Sequence, residues 1–519
     1  MYGIILKNFL ILIFKYIFQP PLIVFLIFFC NEIFSENLKK DLKLGSNNES
    51  LMIEKRLYKN GKDKENIEIY FSDLYPLLIK QNKELKILRS QIEQNIYNFK
   101  AEKSSWYPTL GITSSEFPKL STGSNFDKFS SPQDTFTKKL DFGMSLNLEW
   151  DLVKPARRLD IDIAFEKVSN SKLNYENKIK ELFLETSELF FLIQESSQNI
   201  KISKKSLEIS SLALEEASNR FKAGIGNKLN VLEAETQYGR DKISLVKRIG
   251  ELKLNENKLS IILNLMPNQI PVIKEEPKIL SIWNSSFKES LDSALIFRED
   301  IKIQKSNIQI NEKQALSILS GKKPSIKIYN TYSTSSSSGQ SGVEYPNYAN
   351  SSNSEDNAVG VKFSWNLFDG GLIKNSYKSI KDKTIELEET YQLKIDQLEK
   401  DIKDSFINLE VYKENIIESY NQQESAKESL FLALRRLEAG LTTQREVVNN
   451  QGDVTEAESN FINSITDYNK IILKLTRLTG LDPIGICLVS KESKDYFLKF
   501  VLNNNLSNKC DIENKNISS

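Results

Sequence analysis

Residues Arg220–Gly224 read Arg-Phe-Lys-Ala-Gly, and 216 positions further along Arg436–Gly440 read Arg-Leu-Glu-Ala-Gly. Each segment ends a long heptad-patterned stretch at a glycine, the residue that most easily adopts the left-handed conformation found past a helix end. The same offset, within one residue, separates four further pairs: Pro108 and Pro324, Trp150 and Trp365, Tyr175 and Tyr391, and Pro267 and Pro483. Because this spacing is far too long for a solenoid repeat, the sequence indicates two related halves.

Each half carries a pair of candidate β-strands ahead of its long helical stretch. Residues 140–150 alternate apolar and polar side chains without a break, and residues 357–367 repeat the pattern. Their partner strands, at 109–117 and 325–333, alternate less regularly, and Ser333–Asn357 is predicted as a polar loop. An 11-residue strand rises about 37 Å, enough to cross a bilayer core at a tilt of ~40°. The alternative is a half-buried strand of a soluble sandwich.

A tryptophan stands near the end of each regular strand, at Trp150 and Trp365, where membrane barrels place their aromatic girdle. We therefore expect the apolar side chains to face lipid and the polar ones to line a wet lumen. The residues expected in that lumen are Asp141, Asn147, Glu149, Lys362 and Asn366. Four strands cannot close a barrel, and an open edge cannot face lipid, so the strands must join a barrel shared with further copies.

Helical hairpins are predicted over about 155–265 and 372–480. Large residues recur at every seventh position from Ile179 in the first half and from Ile395 in the second. The companion positions, three residues later, hold mostly small residues, and this alternation lets neighbouring helices interdigitate. A cytosolic coiled coil would explain the heptads, but it would leave the strands unexplained.

Composition excludes several classes of function. Among 519 residues, 70 are Lys or Arg and 69 are Asp or Glu, so the chain lacks the basic footprint of a nucleic-acid-binding protein. Histidine is absent from the sequence, which removes Ser-His triads and the histidine-based zinc motifs. The carboxylates lie on heptad helices, where they form solvated faces. We predict no catalytic, cofactor-binding or metal-binding residues, and no enzymatic activity.

The ends of the chain differ from the repeats. Residues 1–35 are apolar with two lysines and are predicted to be a signal peptide, although an inner-membrane anchor is the alternative. A polar linker is expected at 36–65 and a second linker at 268–285. Residues 484–519 are expected to form a polar, disordered tail. The tail contains Cys487 and Cys510, whose pairing the sequence leaves open.

The duplicated strand–strand–helix units and the Arg-Phe-x-x-Gly and Arg-Leu-x-x-Gly tips resemble the TolC-like outer membrane efflux family. So does Trp365–Gly371, which reads Trp-Asn-Leu-Phe-Asp-Gly-Gly. The resemblance covers a first repeat at 66–267 and a second at 286–483. It implies a mainly α-helical chain with a membrane β-barrel portion, in which three copies form a twelve-stranded barrel and a long periplasmic helical barrel. Such a homotrimer would lie in the outer membrane and dock onto a periplasmic adaptor driven by an inner-membrane pump.

On this resemblance the hairpin tips form the periplasmic gate and the adaptor-docking surface. The residues expected there are Arg220, Gly224, Asn230, Arg436, Gly440 and Glu446. A simpler hypothesis is that the tip charges only cap helix ends. Two departures from the family pattern stand out: Val153-Lys-Pro155 is the looser first-repeat counterpart of Asp369-Gly-Gly371, and Asn230 and Glu446 stand where the family often has aspartate. The alternative functions are a periplasmic coiled-coil adaptor and a surface structural protein.

Overall fold

The computed structural model describes residues 66–127, 133–266, 268–343 and 350–480. The predicted signal peptide, the linker at 36–65, the polar tail and its two cysteines lie outside these residues. In the part of the chain that the structure describes, none of the helices combines the length and apolar character needed to cross a bilayer.

The first repeat contains two short elements, two helices, two long strands and a hairpin of long helices. Its elements are β1 (Asn66–Glu68), a 3-10 turn (Phe71–Asp73), α1 (Leu74–Gln81), α2 (Lys83–Ser104), β2 (Thr109–Asp127), β3 (Gln133–Val153), α3 (Arg157–Lys222) and α4 (Lys228–Ile262). The order matches the predicted helix, strand, strand and helical hairpin. The heptad pattern and the glycine punctuation therefore predicted the order of these elements correctly.

The second repeat has the same order after a short strand. Its elements are β4 (Ile270–Val272), α5 (Phe287–Phe297), α6 (Glu299–Ser320), β5 (Ser325–Val343), β6 (Asn350–Ser364), α7 (Leu372–Glu438) and α8 (Gln444–Thr479). β4 lies inside the segment expected to be a plain linker, and it pairs in parallel with β1. A three-residue strand carries too little alternation to be recognised in a sequence.

The four long strands form one antiparallel sheet in the order β2-β3-β5-β6. All four strands are longer than predicted, and the polar loop expected at Ser333–Asn357 is wrong for most of its length. β5 continues to Val343 and pairs with β6 as far as Gly339 opposite Asn350. The reason is that backbone hydrogen bonds to a neighbouring strand hold this ladder, so Ser and Asn suffice where no core has to be filled.

The prediction also placed the end of the last strand too late. β6 ends at Ser364 rather than at residue 367, because the chain turns there into the N-terminal cap of α7. Trp365, Asn366 and Leu367 therefore lie in the junction between strand and helix.

Two series of heptad positions run along α3: every seventh position from Ile179, and the companion positions three residues later. The side chains of the two series are buried to different extents. Every companion position of the first repeat is buried, namely Leu182, Leu189, Ser196, Ser203, Ser210 and Ala217. The large positions are buried from Ile179 to Ile200, whereas Leu207 is half-buried and Phe221 is exposed. The seam therefore packs tightly within this chain near the strands and loosens toward the hairpin tip.

One apolar core lies between α7 and α8. Its buried members are Leu409, Ile416, Tyr468, Ile471, Ile472 and Leu475. Residues before α5 also pack on it, and the Tyr468 hydroxyl donates to the carbonyl of Ser281 at 3.2 Å. This core holds the second hairpin together.

The contact between α3 and α8, which joins the two repeats, is more polar than that core. Ser459 Oγ donates to Asn199 Oδ1 at 2.6 Å. Nearer the strands, Lys180 Nζ lies 2.8 Å from Glu299 Oε1, and Arg477 Nη2 lies 3.7 Å from Glu181. Because Glu299 on α6 and Arg477 on α8 are both largely buried, their charges must find partners, and these pairs fix α6 and α8 against α3.

Candidate channel wall and hairpin tips

The register of the sheet assigns each side chain to one of two faces, since residues directly opposite each other in an antiparallel pair share a face. Glu149 lies opposite Tyr329, Asp151 opposite Lys327, and Lys327 opposite Lys362. Together with the alternation along β3, these pairs place four predicted lumen residues on one face. They are Asp141, Asn147, Glu149 and Lys362. Asn366 is not on the sheet, so its expected position on the last strand is wrong.

Ion pairs and hydrogen bonds connect the strands on this polar face. Lys327 Nζ on β5 lies 2.8 Å from Glu149 Oε2 and 3.7 Å from Asp151 on β3. Asn147 Nδ2 donates to Thr113 Oγ1 on β2 at 2.9 Å. Charges of both signs on one face of a sheet require water or each other as partners, so this face suits a hydrated space.

The opposite face is apolar and uncovered. Leu110 and Ile112 on β2 are 66% and 68% exposed, and Val361 and Phe363 on β6 are 66% and 61% exposed. In a soluble sandwich a second layer would cover these side chains, but among the described residues no second sheet or helix does so. An exposed apolar band of this kind is typical of a surface that contacts lipid.

A tryptophan anchors the helix-proximal end of the sheet in each repeat. Trp150 Nε1 donates to the carbonyl of Trp106, and Trp365 Nε1 donates to the carbonyl of Lys322, both at 2.9 Å. The two carbonyls lie 216 positions apart and follow equivalent helices, α2 and α6. The same bond is therefore made twice, at the level where an aromatic girdle belongs.

The junctions between strand and long helix differ between the repeats. In the first, Arg157 is 3% exposed, its guanidinium donates to the carbonyls of Asp151 and Leu152, and it stacks on Trp106 at 4.4 Å. Sequence reasoning missed this side chain. Its one available signal was an arginine two residues after Pro155, in the first turn of a helix where cations are unfavourable.

In the second junction a carboxylate caps the helix. Asp369 accepts the backbone N–H of Gly371 at 2.8 Å and that of Ile373 at 3.0 Å. Both bonds favour the ionised form, so they hold the pKa of the Asp369 carboxyl below its usual range. The Asp-Gly-Gly segment is thus a helix cap, which the first repeat replaces with the buried arginine.

The two hairpin tips have the same backbone geometry. Gly224 and Gly440 have φ of +75° and +69°, and the residue after each glycine donates its N–H to the carbonyl of Arg220 or Arg436, at 3.1 and 2.8 Å. This pair of features is the Schellman motif that ends a helix. Any residue other than glycine would be strained at this φ, which explains why both repeats have glycine here.

The charges at the two tips are arranged differently. Arg436 Nη1 lies 2.9 Å from Glu446 Oε1, and Thr442 Oγ1 donates to the same carboxylate. In the first tip, Arg220 pairs with Glu216 one turn earlier in its own helix, and Asn230 is exposed. Asn230 and Glu446 both occupy the third position of the returning helix, but only Glu446 bridges the two arms of its hairpin.

Within the described ranges, one ion pair joins the tips of the two hairpins. Arg445 Nη1 on α8 lies 3.3 Å from Glu233 Oε1 on α4. The sequence analysis did not identify this pair, because neither heptads nor the repeat offset predict which side chains of separate hairpins meet. In the described part of the chain, no grouping of three or more Asp, Glu, Cys or His side chains could hold a metal ion.

The architecture is that of known outer-membrane channels. Campylobacter jejuni CmeC matches with a TM-score of 0.65 at 15% identity, covering 79% of this chain and 85% of the other. Vibrio cholerae VceC matches at 0.62 and 14% identity, covering 79% and 96%. The open state of Neisseria gonorrhoeae MtrE matches at 0.58 and 14% identity, covering 79% and 89%. Among proteins of curated function, no significant sequence match was found.

The family model described as "Outer membrane efflux protein" matches residues 74–265 and 291–481, one match in each repeat. These two ranges account for most of the chain and coincide with the duplicated helix, strand and hairpin units. The alternatives of a periplasmic adaptor and of a surface coiled coil do not fit a double match of this kind. The chain belongs to the outer membrane efflux protein family.

Proposed function

We propose that this chain is the exit-duct subunit of a tripartite efflux or type I secretion system, and that it conducts exported solutes passively, without a catalytic step. The observation that carries the proposal is the continuity of a two-faced sheet with α3 and α7, which have 66 and 67 residues. A helix of that length spans up to about 100 Å. One chain thus joins a membrane-type sheet to a long helical wall on the periplasmic side.

The sheet itself supports a shared barrel. β2 and β6 are its edges, and within the described residues neither has a second neighbour. An unpaired edge in lipid leaves backbone N–H and C=O groups without partners, which costs several kcal/mol for each group. Three copies would supply twelve strands and close the barrel, with β6 of one copy beside β2 of the next. Asp141, Asn147, Glu149 and Lys362 would then line the lumen.

The hairpin tips are the proposed gate and the proposed docking surface for a periplasmic adaptor and its inner-membrane pump. Arg436 and Glu446 tie the second tip to itself, and Arg445 ties it to Glu233 of the first hairpin. Opening the duct would require the tips to separate, and the pairs that resist separation are ion pairs at an exposed surface. Such pairs contribute about 0–1 kcal/mol each, which suits a contact that has to be reversible.

Two measurements on the purified protein test the proposal. The mass of the detergent-solubilised particle should be that of three chains, and the particle should open ion-conducting pores in a planar lipid bilayer. A monomeric particle, or a trimer that leaves the bilayer insulating even when Glu446 and Arg445 are replaced by Gln and Ala, would contradict the role of duct.

A further inference from the structure

A polar groove runs between α2, α3 and α6, on the periplasmic side of the sheet, with a volume of about 610 Å³. Half of the side chains that line it are primary amides. They are Gln91, Asn95, Asn170, Asn174, Asn177 and Asn307. Neither the lumen nor the hairpin tips include these residues, so conduction gives no reason for so many amides in one place.

Three of the amides form a directed chain across the groove. Asn174 Nδ2 donates to Asn170 Oδ1 at 2.8 Å, and Asn170 Nδ2 donates to Asn307 Oδ1 at 2.6 Å. The chain fixes the orientation of all three amides. It leaves an acceptor, Asn174 Oδ1, at one end and a donor, Asn307 Nδ2, at the other, and in the described residues no hydrogen bond uses either atom. Fixed donors and acceptors lose little entropy when they bind a ligand.

The opposite wall, on α2, presents Gln91 and Asn95. Within the part of the chain that is described, the side chains of these two residues make no hydrogen bond. They lie one helical turn apart, as Asn170 and Asn174 do, so each wall repeats its amides at about 6 Å along the groove. A regular spacing on both walls suits an extended polymer better than a single compact solute.

Charge at the rim is largely compensated. Lys178 pairs with Glu84 at 2.8 Å, and Asn177 donates to Glu181, which also faces Arg477. Lys167 adds one positive charge, which would tolerate an occasional carboxylate on the ligand. A nucleic acid would need many more cations than this.

We infer that this groove binds a neutral glycan carrying N-acetyl groups. Each hydroxyl of a sugar both donates and accepts, and an acetamido group offers an N–H beside a C=O, which matches amide side chains that offer the same pair. An extended peptide is the less favoured occupant, because such peptides are recognised through pockets for alternate side chains, and the apolar lining is limited to Leu88 and Ile310. Binding in this groove would attach the helical wall to a polymer or oligosaccharide of the periplasm, which is a role separate from conduction.

The experiment uses the full-length protein in a detergent without a sugar headgroup. Binding of a β-1,4-linked N-acetylglucosamine tetramer is measured by calorimetry, with a glucose tetramer as comparison. The double variant Gln91→Leu/Asn95→Leu removes two amides that the folded chain does not use, so its melting temperature should be unchanged. Asn98→Leu is the matched control, because Asn98 is exposed on the same helix outside the groove.

The wild type and Asn98→Leu should bind the N-acetylated tetramer saturably and more tightly than the glucose tetramer. The double variant should bind it about tenfold more weakly, the loss expected for two hydrogen bonds. Co-sedimentation with insoluble cell-wall glycan would identify the wall as the source, and binding of the soluble tetramer alone would identify a soluble oligosaccharide. Absence of saturable binding, equal binding by the double variant, or preference for an uncharged peptide would overturn the inference.

Discussion

Where each pair of strands joins its long helix, the two repeats use different chemistry for the same turn. The second repeat caps α7 with the carboxylate of Asp369, which solvent can reach, whereas the first buries Arg157 against Trp106 and two carbonyls. The tryptophan hydrogen bonds and the tip backbone are the same in both halves. The comparison shows that duplication preserved the features on which the wall depends and let the junctions and the tip charges diverge.

The largest effects are expected where the repeats agree. Ile193 and Leu409 occupy equivalent seam positions and are 1% and 2% exposed, so replacing either with Ala should cost about 2–5 kcal/mol of unfolding free energy. Leu207→Ala should cost clearly less, because Leu207 is only half-buried. Guanidinium titration in detergent measures all three variants. A large loss for one repeat and none for the other would show that the halves do not pack equivalently.

The next largest effects are expected on the two faces of the sheet. Leu146→Arg places a cation on the apolar face and should cost about 2–4 kcal/mol near the bilayer midplane, whereas Phe363→Arg, at the helix-proximal end of β6, should cost less. Ser145 and Ser364 alternate with these residues and lie on the opposite face, so Ser145→Arg and Ser364→Arg should cost little. The yield of heat-resistant trimer in the membrane reports the difference. If arginine were tolerated equally on both faces, the assignment of a lipid side and a lumen side would be wrong.

The two strand-to-helix junctions should lose different amounts of stability when their capping side chains are removed. Arg157→Ala removes the charged donor that bonds the carbonyls of Asp151 and Leu152 and should cost about 1–3 kcal/mol, while its exposed neighbour Arg158 serves as the control. Asp369→Ala should cost less, since water can satisfy the N–H groups that Asp369 caps. Unfolding of the Arg157, Arg158 and Asp369 variants under identical conditions tests the order.

The two junctions should also respond differently to acid. Because the folded state lowers the pKa of Asp369, its contribution to stability is present above the ordinary aspartate pKa of about 4 and is lost as pH falls through the lower folded value. Asp369→Asn should therefore lessen the loss of stability between pH 5 and 2. An unchanged acid profile in Asp369→Asn would show that the cap contributes nothing.

The smallest effect on stability, and the most informative one for function, is expected at the tips. Glu446→Gln and Arg436→Ala break an exposed pair and should cost about 0–1 kcal/mol. If the pair restrains the gate, single-channel conductance or cation selectivity should change while the trimer stays intact. Arg220→Ala, whose partner Glu216 lies on the same helix, is the matched control. Unchanged currents in both variants would leave only a capping role for these charges.

The long elements could be predicted from the sequence. Features that depend on contacts with neighbouring strands or helices could not. Heptads, glycines and strict alternation are local, so the hairpins, the regular strand at β3 and the Schellman tips could be read from residues such as Gly224 and Gly440. The serine-rich ends of β5 and β6 could not, because their pairing partners hold them rather than any apolar pattern. The Arg157 stack and the Arg445–Glu233 pair were missed for the same reason.

The heptad pattern does not show how deeply each of its positions is buried. Leu207 and Leu430 fit the heptad as well as Leu409 does, yet both are half-buried in this chain. A heptad shows which side of a helix packs, but not how many neighbours arrive there from the same chain. In the proposed trimer the rest of that surface would meet another copy.

The most direct test of the channel account measures current through single-cysteine variants in which the three native cysteines are replaced by serine. Asn147→Cys and Leu146→Cys are adjacent on β3 and lie on opposite faces of the sheet. If three copies form a barrel around a wet lumen, a charged thiol reagent should reduce the conductance of Asn147→Cys and leave that of Leu146→Cys unchanged. Modification of Leu146→Cys with loss of current, or no effect of the reagent on Asn147→Cys, would contradict the account.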